Sequence, residues 1–309
     1  MAEINPNIED FNPKITVPQS TPTVEPAVSS NTSSNNVDVS SIHGLSMEEY
    51  NDPNQIQVVI ADKHTPIVVL FGPPACGKTM TLIRLTRYLK EKGFRVEPVA
   101  SFRPAQDMHY RRMCEQYNEF VSSGYAAKST SMISFMLVKI LDSRGKTLCQ
   151  ILEAPGELYY SPGEPNAPFP RYVSAIISAH NRKIWCYMVE PNWFNEYDRL
   201  GYVDRIRKLK AKMTSRDKAV FVFNKIDKTP YVLGQDKVNV SQARKDVRDN
   251  YPGIFEPFRT KGVFGWNDDY EFVPFQTGDY AGTFAGGSVF EPGPDSYPRD
   301  LWKTLKKFF

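Results

Sequence analysis

LFGPPACGKTMTLIRL, residues 70–85, contains Gly72, four further residues and then Gly77-Lys78-Thr79. This is the spacing of a phosphate-binding loop. The glycines let backbone N–H groups approach a phosphate closely, and the positive end of the following helix adds to the attraction. Lys78 would contact the β- and γ-phosphates, and the Thr79 hydroxyl would hold Mg²⁺. We therefore expect a nucleotide-binding loop formed by Gly72, Pro73, Pro74, Ala75, Cys76, Gly77, Lys78, Thr79 and Met80.

The flanking sequence supports this prediction. TPIVVLF is a β-branched run that ends directly on the loop, and Leu82, Leu85 and Leu89 then recur at helical spacing up to Gly93. A strand, a glycine loop and an amphipathic helix in this order are the context that the motif requires. The loop does not select the base, because GPPACGKT resembles the loops of AAA+ ATPases as much as those of GTPases.

Composition restricts the class of protein. The chain has 309 residues, 41% hydrophobic and 24% charged, with a net charge of +3, which favours neither a nucleic-acid footprint nor an acidic partner. Its four cysteines form no CxxC pair, so we expect free thiols in a reducing compartment. We see no apolar run long enough for a transmembrane segment and no signal peptide, and we expect a cytoplasmic protein.

The chain divides at about residue 55. Residues 1–55 are dense in Pro, Ser, Thr and Asn, and we expect a disordered tail or a partner-binding arm. Residues 56–309 alternate strand-like and helix-like runs, which predicts one three-layer α/β/α domain of the P-loop NTPase type with a mostly parallel sheet. The runs at 133–142 and 146–154 flank a tight polar turn and predict one antiparallel hairpin strand.

An acidic motif follows the hairpin. Glu153 stands two residues before Gly156, at the end of a strand-like run. A carboxylate at this place would hold Mg²⁺, and the N–H of Gly156 would sense a γ-phosphate. The alternative is a strand-end surface acid. An AAA+ ATPase would instead carry four apolar residues and then Asp-Glu.

A third motif bears on the identity of the base. Asn224-Lys225-Ile226-Asp227 comes directly after the buried run FVF. Asp227 would accept hydrogen bonds from guanine N1–H and from the exocyclic amine, Asn224 would steady the base, and the Lys225 stem would pack on the ring. Adenine lacks this donor pair and would leave the carboxylate unpaired, which costs about 1.5–3 kcal/mol for each bond. A polar turn is the alternative interpretation.

Taken together, GPPACGKT, EAPGE and NKID resemble the motifs of P-loop GTPases of the translation-factor and Ras-like class, with Glu153 in place of the usual aspartate. The resemblance covers about residues 56–309. It implies GTP or GDP and Mg²⁺ as cofactors, a base-contacting loop at Thr277 and Gly278, and an unknown protein effector or activator. The small net charge leads us to expect no direct contact with nucleic acid.

Two features depart from that pattern. The segment from about residue 95 to 131 is much longer than the usual first switch, and we expect a helix inside it and Thr130 as the residue that closes on Mg²⁺ and the γ-phosphate. Glu157 occupies the position where many members have the glutamine that orients the attacking water. Because a carboxylate cannot donate to phosphate, we expect slow hydrolysis, with Lys78, Glu157 and Thr130 as the catalytic group.

Other functions stay open on the sequence. An AAA-type ATPase subunit would need a lid domain and a sensor arginine, for which the chain has little sequence after its core. A nucleotide-stabilised scaffold that does not hydrolyse remains compatible with glutamate at both acidic positions. Binding of a partner that depends on the nucleotide would separate the switch from the scaffold.

Overall fold

The computed structural model describes residues 45–122, 135–160, 164–191, 195–234, 236–262, 265–282 and 288–309. All of them belong to one compact unit, Val39–Phe309. The second unit, Met1–Asp38, lies outside the described residues.

A sheet of seven strands forms the centre of this unit. Its strands are, in chain order, β1 (Ile67–Phe71), β2 (Arg95–Pro98), β3 (Met136–Leu141), β4 (Thr147–Glu153), β5 (Lys183–Val189), β6 (Lys218–Phe223) and β11 (Tyr270–Pro274). Their order across the sheet is β11-β6-β5-β1-β4-β3-β2. Only β3 runs against its neighbours, since β3 pairs antiparallel with both β2 and β4 and the other pairs are parallel.

Helices cover both faces of the sheet. They are α1 (Met47–Asn51), α2 (Lys78–Glu91), α3 (Met108–Ser122), α4 (Gly156–Tyr159), α5 (Arg171–Ser178), α6 (Glu196–Lys210), α7 (Val240–Asn250) and α8 (Ser296–Lys306). On one face α2 lies between α3 and α8. On the other face Tyr202 of α6 stacks on Phe71 of β1 at 6.1 Å between ring centroids. The predicted three-layer α/β/α arrangement with one antiparallel strand is confirmed by the strand order and by the helices on both faces.

Short elements complete the described chain. Three two-stranded hairpins pair β7 (Val232–Gly234) with β8 (Lys237–Val238), β9 (Arg259–Gly262) with β10 (Gly265–Asp268), and β12 (Asp279–Gly282) with β13 (Ser288–Glu291). Single 3₁₀ turns lie at Pro53–Gln55, Ala100–Phe102, Ile226–Lys228 and Glu256–Phe258. Within the described residues, no helix is long and apolar enough to cross a bilayer.

The start of the domain differs from the sequence-based boundary. Leu45 is buried in the core, and Glu49 of α1 forms an ion pair with Arg103 at 2.5 Å, so packing begins before Ile56. The β-branched run IQVVIAD at 56–62 forms no strand, although Val59 N–H donates to the carbonyl of Phe102 at 2.8 Å. The tail predicted for residues 1–55 therefore stays a prediction for 1–44.

The predicted long first switch begins as β2, which adds an edge strand to the sheet. The helix expected inside it is α3. Three of the parallel strands, β1, β4 and β6, carry the motif residues on the segments that follow or end them, and β11 leads to Thr277. Because carboxyl ends of parallel strands meet at one edge of a sheet, these motifs converge in space.

Candidate nucleotide-binding site

The phosphate-binding loop follows β1 and folds back on itself. A Cβ at Gly72 would lie 2.6 Å from Sγ of Cys76 and 2.8 Å from Cβ of Met188, so only glycine permits this close approach. Ala75 and Gly77 have φ of 59° and 88°, and left-handed residues within such a turn help to point neighbouring N–H groups into a concave anion-binding nest. The loop ends where the 14-residue helix α2 begins, which directs a helix amino terminus at the same place.

The loop lysine is held ready for phosphate. Lys78 is buried, and its Nζ donates to the carbonyl of Pro73 at 2.8 Å. That bond uses one of the three ammonium protons. Burial raises the pKa of the neighbouring Cys76 thiol, which keeps it protonated and unreactive.

Two of the three predicted metal ligands, Thr79 and Glu153, are brought together. The Thr79 hydroxyl donates to Oε1 of Glu153 at 2.9 Å, and the backbone N–H of Phe135 donates to Oε2 of the same carboxylate at 3.0 Å. Burial raises the pKa of Glu153. The nearby ammonium group of Lys78 acts in the opposite direction and lowers it, but the effect of burial is larger. A divalent cation beside this pair would offset the cost of keeping the carboxylate charged.

These residues fit Mg²⁺ only together with a phosphate. In the part of the chain that the structure describes, no group of three or more His, Cys, Asp or Glu side chains could hold a metal ion. One hydroxyl and one carboxylate are a small ligand set, and Mg²⁺ commonly completes such a set with phosphate oxygens and water. The site therefore suits Mg²⁺ carried by a nucleotide.

Gly156 lies directly against the phosphate-binding loop. A Cβ on it would approach the backbone nitrogen of Pro74 to 2.2 Å and the carbonyl carbon of Pro73 to 2.3 Å. Gly156 begins α4, and Glu157 next to it is exposed. Gly156, the predicted γ-phosphate sensor, thus contacts the loop, and Glu157 has access to solvent.

Asn224 joins the NKID segment to the phosphate-binding loop. Its backbone N–H donates to the carbonyl of Val189 at 2.8 Å, and its Nδ2 donates to the carbonyl of Cys76 at 2.9 Å. A Cβ at Gly77 would lie 2.2 Å from that Nδ2. Asn224 is fully buried, and its Oδ1 has no hydrogen-bond partner among the described residues. An orphaned buried acceptor of this kind indicates a ligand or a water.

The other residues of the NKID segment contact neighbouring side chains and the loop after β11. Lys225 has a left-handed backbone with φ 55°, and its Nζ forms an ion pair with the buried carboxylate of Glu190, without regular hydrogen-bond geometry. Asp227 is half-buried, and its Oδ2 lies 3.2 Å from Nζ of the exposed Lys228. The N–H of Ile226 donates to the carbonyl of Phe275 at 3.1 Å, which ties this segment to the loop after β11.

That last loop holds the remaining predicted contacts. Thr277 is half-buried, and its Cγ2 would lie 3.5 Å from a Cβ at Gly77, so it reaches the phosphate-binding loop. Gly278 has φ 101°, and a Cβ there would meet the ring of Phe290 at 2.5 Å, so this position requires glycine.

Some predicted residues are placed elsewhere. Met80 lies in the first turn of α2, and its side chain is buried in the hydrophobic core. Thr130 lies outside the described residues. Of the arginines in the predicted long first switch, Arg103 is buried in ion pairs with Glu49 and Asp107, and Arg111 and Arg112 are exposed on α3.

Sequence reasoning missed two residues of the site. Glu190 directly follows the buried strand β5, and an acid at that position was a detectable signal. Phe135 has φ 61°, a strained value for a bulky residue, and its N–H reaches Glu153. Its role depends on backbone geometry, for which the sequence contains no local signal.

Comparison with known proteins gives structural likenesses only. No protein-family profile and no curated protein matches the chain. Among solved structures, a protein described as nucleolar GTP-binding protein 1 of Plasmodium falciparum is 15% identical, with 81% of this chain and 90% of that chain covered and a TM-score of 0.39.

This chain covers about half the length of each of two further similar structures. The S. cerevisiae Ski7 GTPase-like domain, bound to GDP and inorganic phosphate, is 13% identical over 79% of this chain and 49% of that chain, with a TM-score of 0.40. Era, in complex with MgGDPNP and a 16S ribosomal RNA segment, is 15% identical over 80% and 57%, with a TM-score of 0.37. Because these identities and TM-scores are low, the description of the fold rests on the strand order and on the geometry of the phosphate-binding loop.

Proposed function

We propose that this chain binds GTP and GDP with Mg²⁺ and acts as a slow GTP-hydrolysing switch. The observation that carries the proposal is the hydrogen bond from Asn224 to the carbonyl of Cys76. It joins a guanine-type recognition segment to a phosphate-binding loop, so that one ligand with a base and phosphates could contact both.

Each part of the site would bind a different part of the nucleotide. The backbone of Gly72–Thr79 and the ammonium of Lys78 bind the phosphates, and Thr79 and Glu153 hold the metal. Asp227 accepts from guanine, while Asn224, Thr277 and Gly278 shape the base pocket. Mg²⁺, when bound, would neutralise charge on the β- and γ-phosphates.

Hydrolysis would be slow because the residue after Gly156 is an acid. Glu157 accepts a proton from water but cannot donate to phosphate, and its charge opposes that of the ligand. Thr130 remains our candidate for the residue that closes over the metal. The output would pass through the segment 95–131 and the loop after Gly156 to a protein effector or activator. The four free cysteines favour a reducing compartment such as the cytoplasm.

A competition titration tests the proposal. The full chain is loaded with fluorescent GDP and Mg²⁺, and GTP, ATP or XTP is used to displace it. We expect GTP to displace at a concentration several orders of magnitude below that of ATP, because adenine would leave Asp227 unpaired. If ATP competed as well as GTP, the phosphate-binding loop would instead be interpreted as that of an ATPase. Failure of every nucleotide to bind would refute a nucleotide site altogether.

A further inference from the structure

A second concave site lies at the opposite edge of the sheet. The segments that lead into β1, β5 and β6 meet there and surround a cavity of about 340 Å³. Five basic side chains line it: Lys63, His64, His180, Arg182 and Arg216. Pro66 and Phe309 supply its apolar wall. We call this the amino-edge cavity. It is separated from the phosphate-binding loop by the length of the parallel strands, since that loop follows the carboxyl end of β1.

The arginines of the amino-edge cavity are held by neutral groups. Nη1 of Arg182 donates to the carbonyl of Phe308 at 2.7 Å, and Nη2 of Arg216 donates to the carbonyl of His180 at 2.9 Å. Among the described residues, neither of these guanidinium groups forms an ion pair with a carboxylate, and the ammonium group of Lys63 does not either. The two guanidinium groups are thus positioned by neutral carbonyl oxygens.

The nearest acids in the sequence have other partners. Asp62 accepts from the backbone N–H groups of His64 and Thr65, at 2.9 and 3.0 Å. Asp217 accepts from the N–H of Lys183 at 2.9 Å and from that of Thr214 at 2.8 Å. These bonds position the two carboxylates without removing their charge. Asp217 also lies 3.7 Å from Nζ of Lys183, and Asp62 attracts the ring of His64. Neither acid lines the cavity, whereas the cations Lys63, Arg182 and Arg216 do.

We propose that the amino-edge cavity binds a small ligand that carries two or more phosphate groups. Guanidinium groups match phosphate oxygens in a planar, two-point geometry, and Lys63 adds a mobile third cation. The volume corresponds to about ten water molecules at roughly 30 Å³ each, which accommodates a diphosphate. Like charges that converge repel each other, and a multivalent anion would relieve this repulsion. This site goes beyond the proposed nucleotide function and does not depend on it.

Calorimetric titration with inorganic pyrophosphate tests the proposal. The full chain carries Lys78→Ala so that the phosphate-binding loop does not compete, and Mg²⁺ is removed. We expect one saturable site whose affinity falls as salt is added. Charge reversal with Lys63→Glu and Arg216→Glu should weaken binding at least tenfold. Both residues are exposed, so the fold should tolerate the change. The milder pair Lys63→Ala and His64→Ala should weaken binding in the same direction.

A matched control separates a site from general charge. Lys245 and Lys261 are also exposed and do not line the cavity, and their reversal changes the net charge by the same amount. We expect that pair of variants to bind pyrophosphate nearly as tightly as the parent chain. Absence of saturable binding in the parent, or equal loss in the control pair, would overturn the proposal.

A second arm identifies the source of the phosphates. Phosphatidylcholine vesicles with and without phosphatidylinositol bisphosphate are sedimented with the same proteins. Binding that requires the phosphorylated lipid and is lost in Lys63→Glu and Arg216→Glu supports the site with a lipid headgroup as its ligand. Pyrophosphate binding without vesicle binding supports the site with a free phosphorylated ligand.

Discussion

The hydroxyl of Thr79 donates to Oε1 of Glu153 over 2.9 Å, although the two residues stand 74 positions apart in the chain. The contact forms because α2 begins beside the carboxyl end of β4, the immediate neighbour of β1 in the sheet. It places the hydroxyl and the carboxylate that a magnesium ion would need at one point.

The first prediction concerns the pH dependence of metal binding. Burial raises the pKa of Glu153 above its ordinary value of 4.5, and Mg²⁺ requires the deprotonated carboxylate. Metal affinity should therefore be full at alkaline pH and fall as pH decreases through the raised pKa, at a higher pH than an ordinary glutamate would show. The Mg²⁺ midpoint for retention of fluorescent GDP measures this effect. In Glu153→Gln the midpoint should be weaker and should retain only the pH dependence of the nucleotide itself, and identical profiles in both proteins would contradict the assignment.

The second prediction concerns the base. Asp227→Asn replaces a double acceptor by an amide that can donate to the extra carbonyl of xanthine. The loss of charged hydrogen bonds, at about 1.5–3 kcal/mol each, should lower GTP affinity roughly a hundredfold or more and raise the relative affinity for XTP. Asp279→Asn is the matched control, since Asp279 contacts the same Lys228 at 3.4 Å. Competition titration measures the GTP and XTP affinities of both variants. Unchanged GTP affinity in Asp227→Asn would reduce NKID to a polar turn.

The third prediction concerns the contact of Gly156 with the phosphate-binding loop. In Gly156→Ala the new Cβ would lie 2.2 Å from the Pro74 nitrogen, and backbone must move to admit it. We expect about 1–3 kcal/mol of destabilisation and at least a tenfold loss of nucleotide affinity, measured by denaturation and by titration. Gly93→Ala is the control, because it has φ 82° but no neighbour within 4 Å, and it should affect stability alone. Equal nucleotide affinity in both variants would show that the contact is unimportant for binding.

The fourth prediction concerns turnover. If Glu157 limits hydrolysis, the single-turnover rate of the wild type should be comparable to or below about 10⁻⁴ s⁻¹, the scale of an unassisted GTPase. Glu157→Gln should be faster, because an amide can orient water and donate to phosphate. Quantification of GDP formed from bound GTP gives both rates. A wild-type rate far above that scale, or a glutamine variant that is no faster, would remove this explanation.

The fifth prediction concerns the ion pairs of Arg103, which join α1 to the segment before α3. The guanidinium is only 3% exposed and contacts Glu49 at 2.5 Å and Asp107 at 2.8 Å. Arg103→Leu would leave both carboxylates without their cation, and we expect a loss of about 3 kcal/mol in the free energy of unfolding. Arg111→Leu, on the exposed face of α3, should change it by less than about 0.5 kcal/mol. Similar losses in the two variants would argue against a stabilising network at Arg103.

Local patterns in the sequence were sufficient to predict most of the fold. The glycine loop between TPIVVLF and a leucine-periodic helix predicted β1 and α2, and the polar turn at 143–145 predicted the antiparallel pairing of β3 with β4. Such elements follow from periodicity and turn chemistry, which act between near neighbours in the chain. The run IQVVIAD is β-branched too but forms no strand, because β-branched residues also suit extended, unpaired backbone.

Contacts between distant segments required the tertiary structure. Sequence spacing predicted that Lys78, Glu153 and Asn224 would belong to one site, but not that Asn224 would bond to Cys76 or that Phe135 would cap Glu153. The amino-edge cavity likewise joins residues near 63, 180 and 216 that share no motif. The sequence by itself determined the strands, the helices and the motif residues, because these depend on local propensity and periodicity. The order of strands in the sheet decided which of those residues meet, because packing of the whole core selects that order.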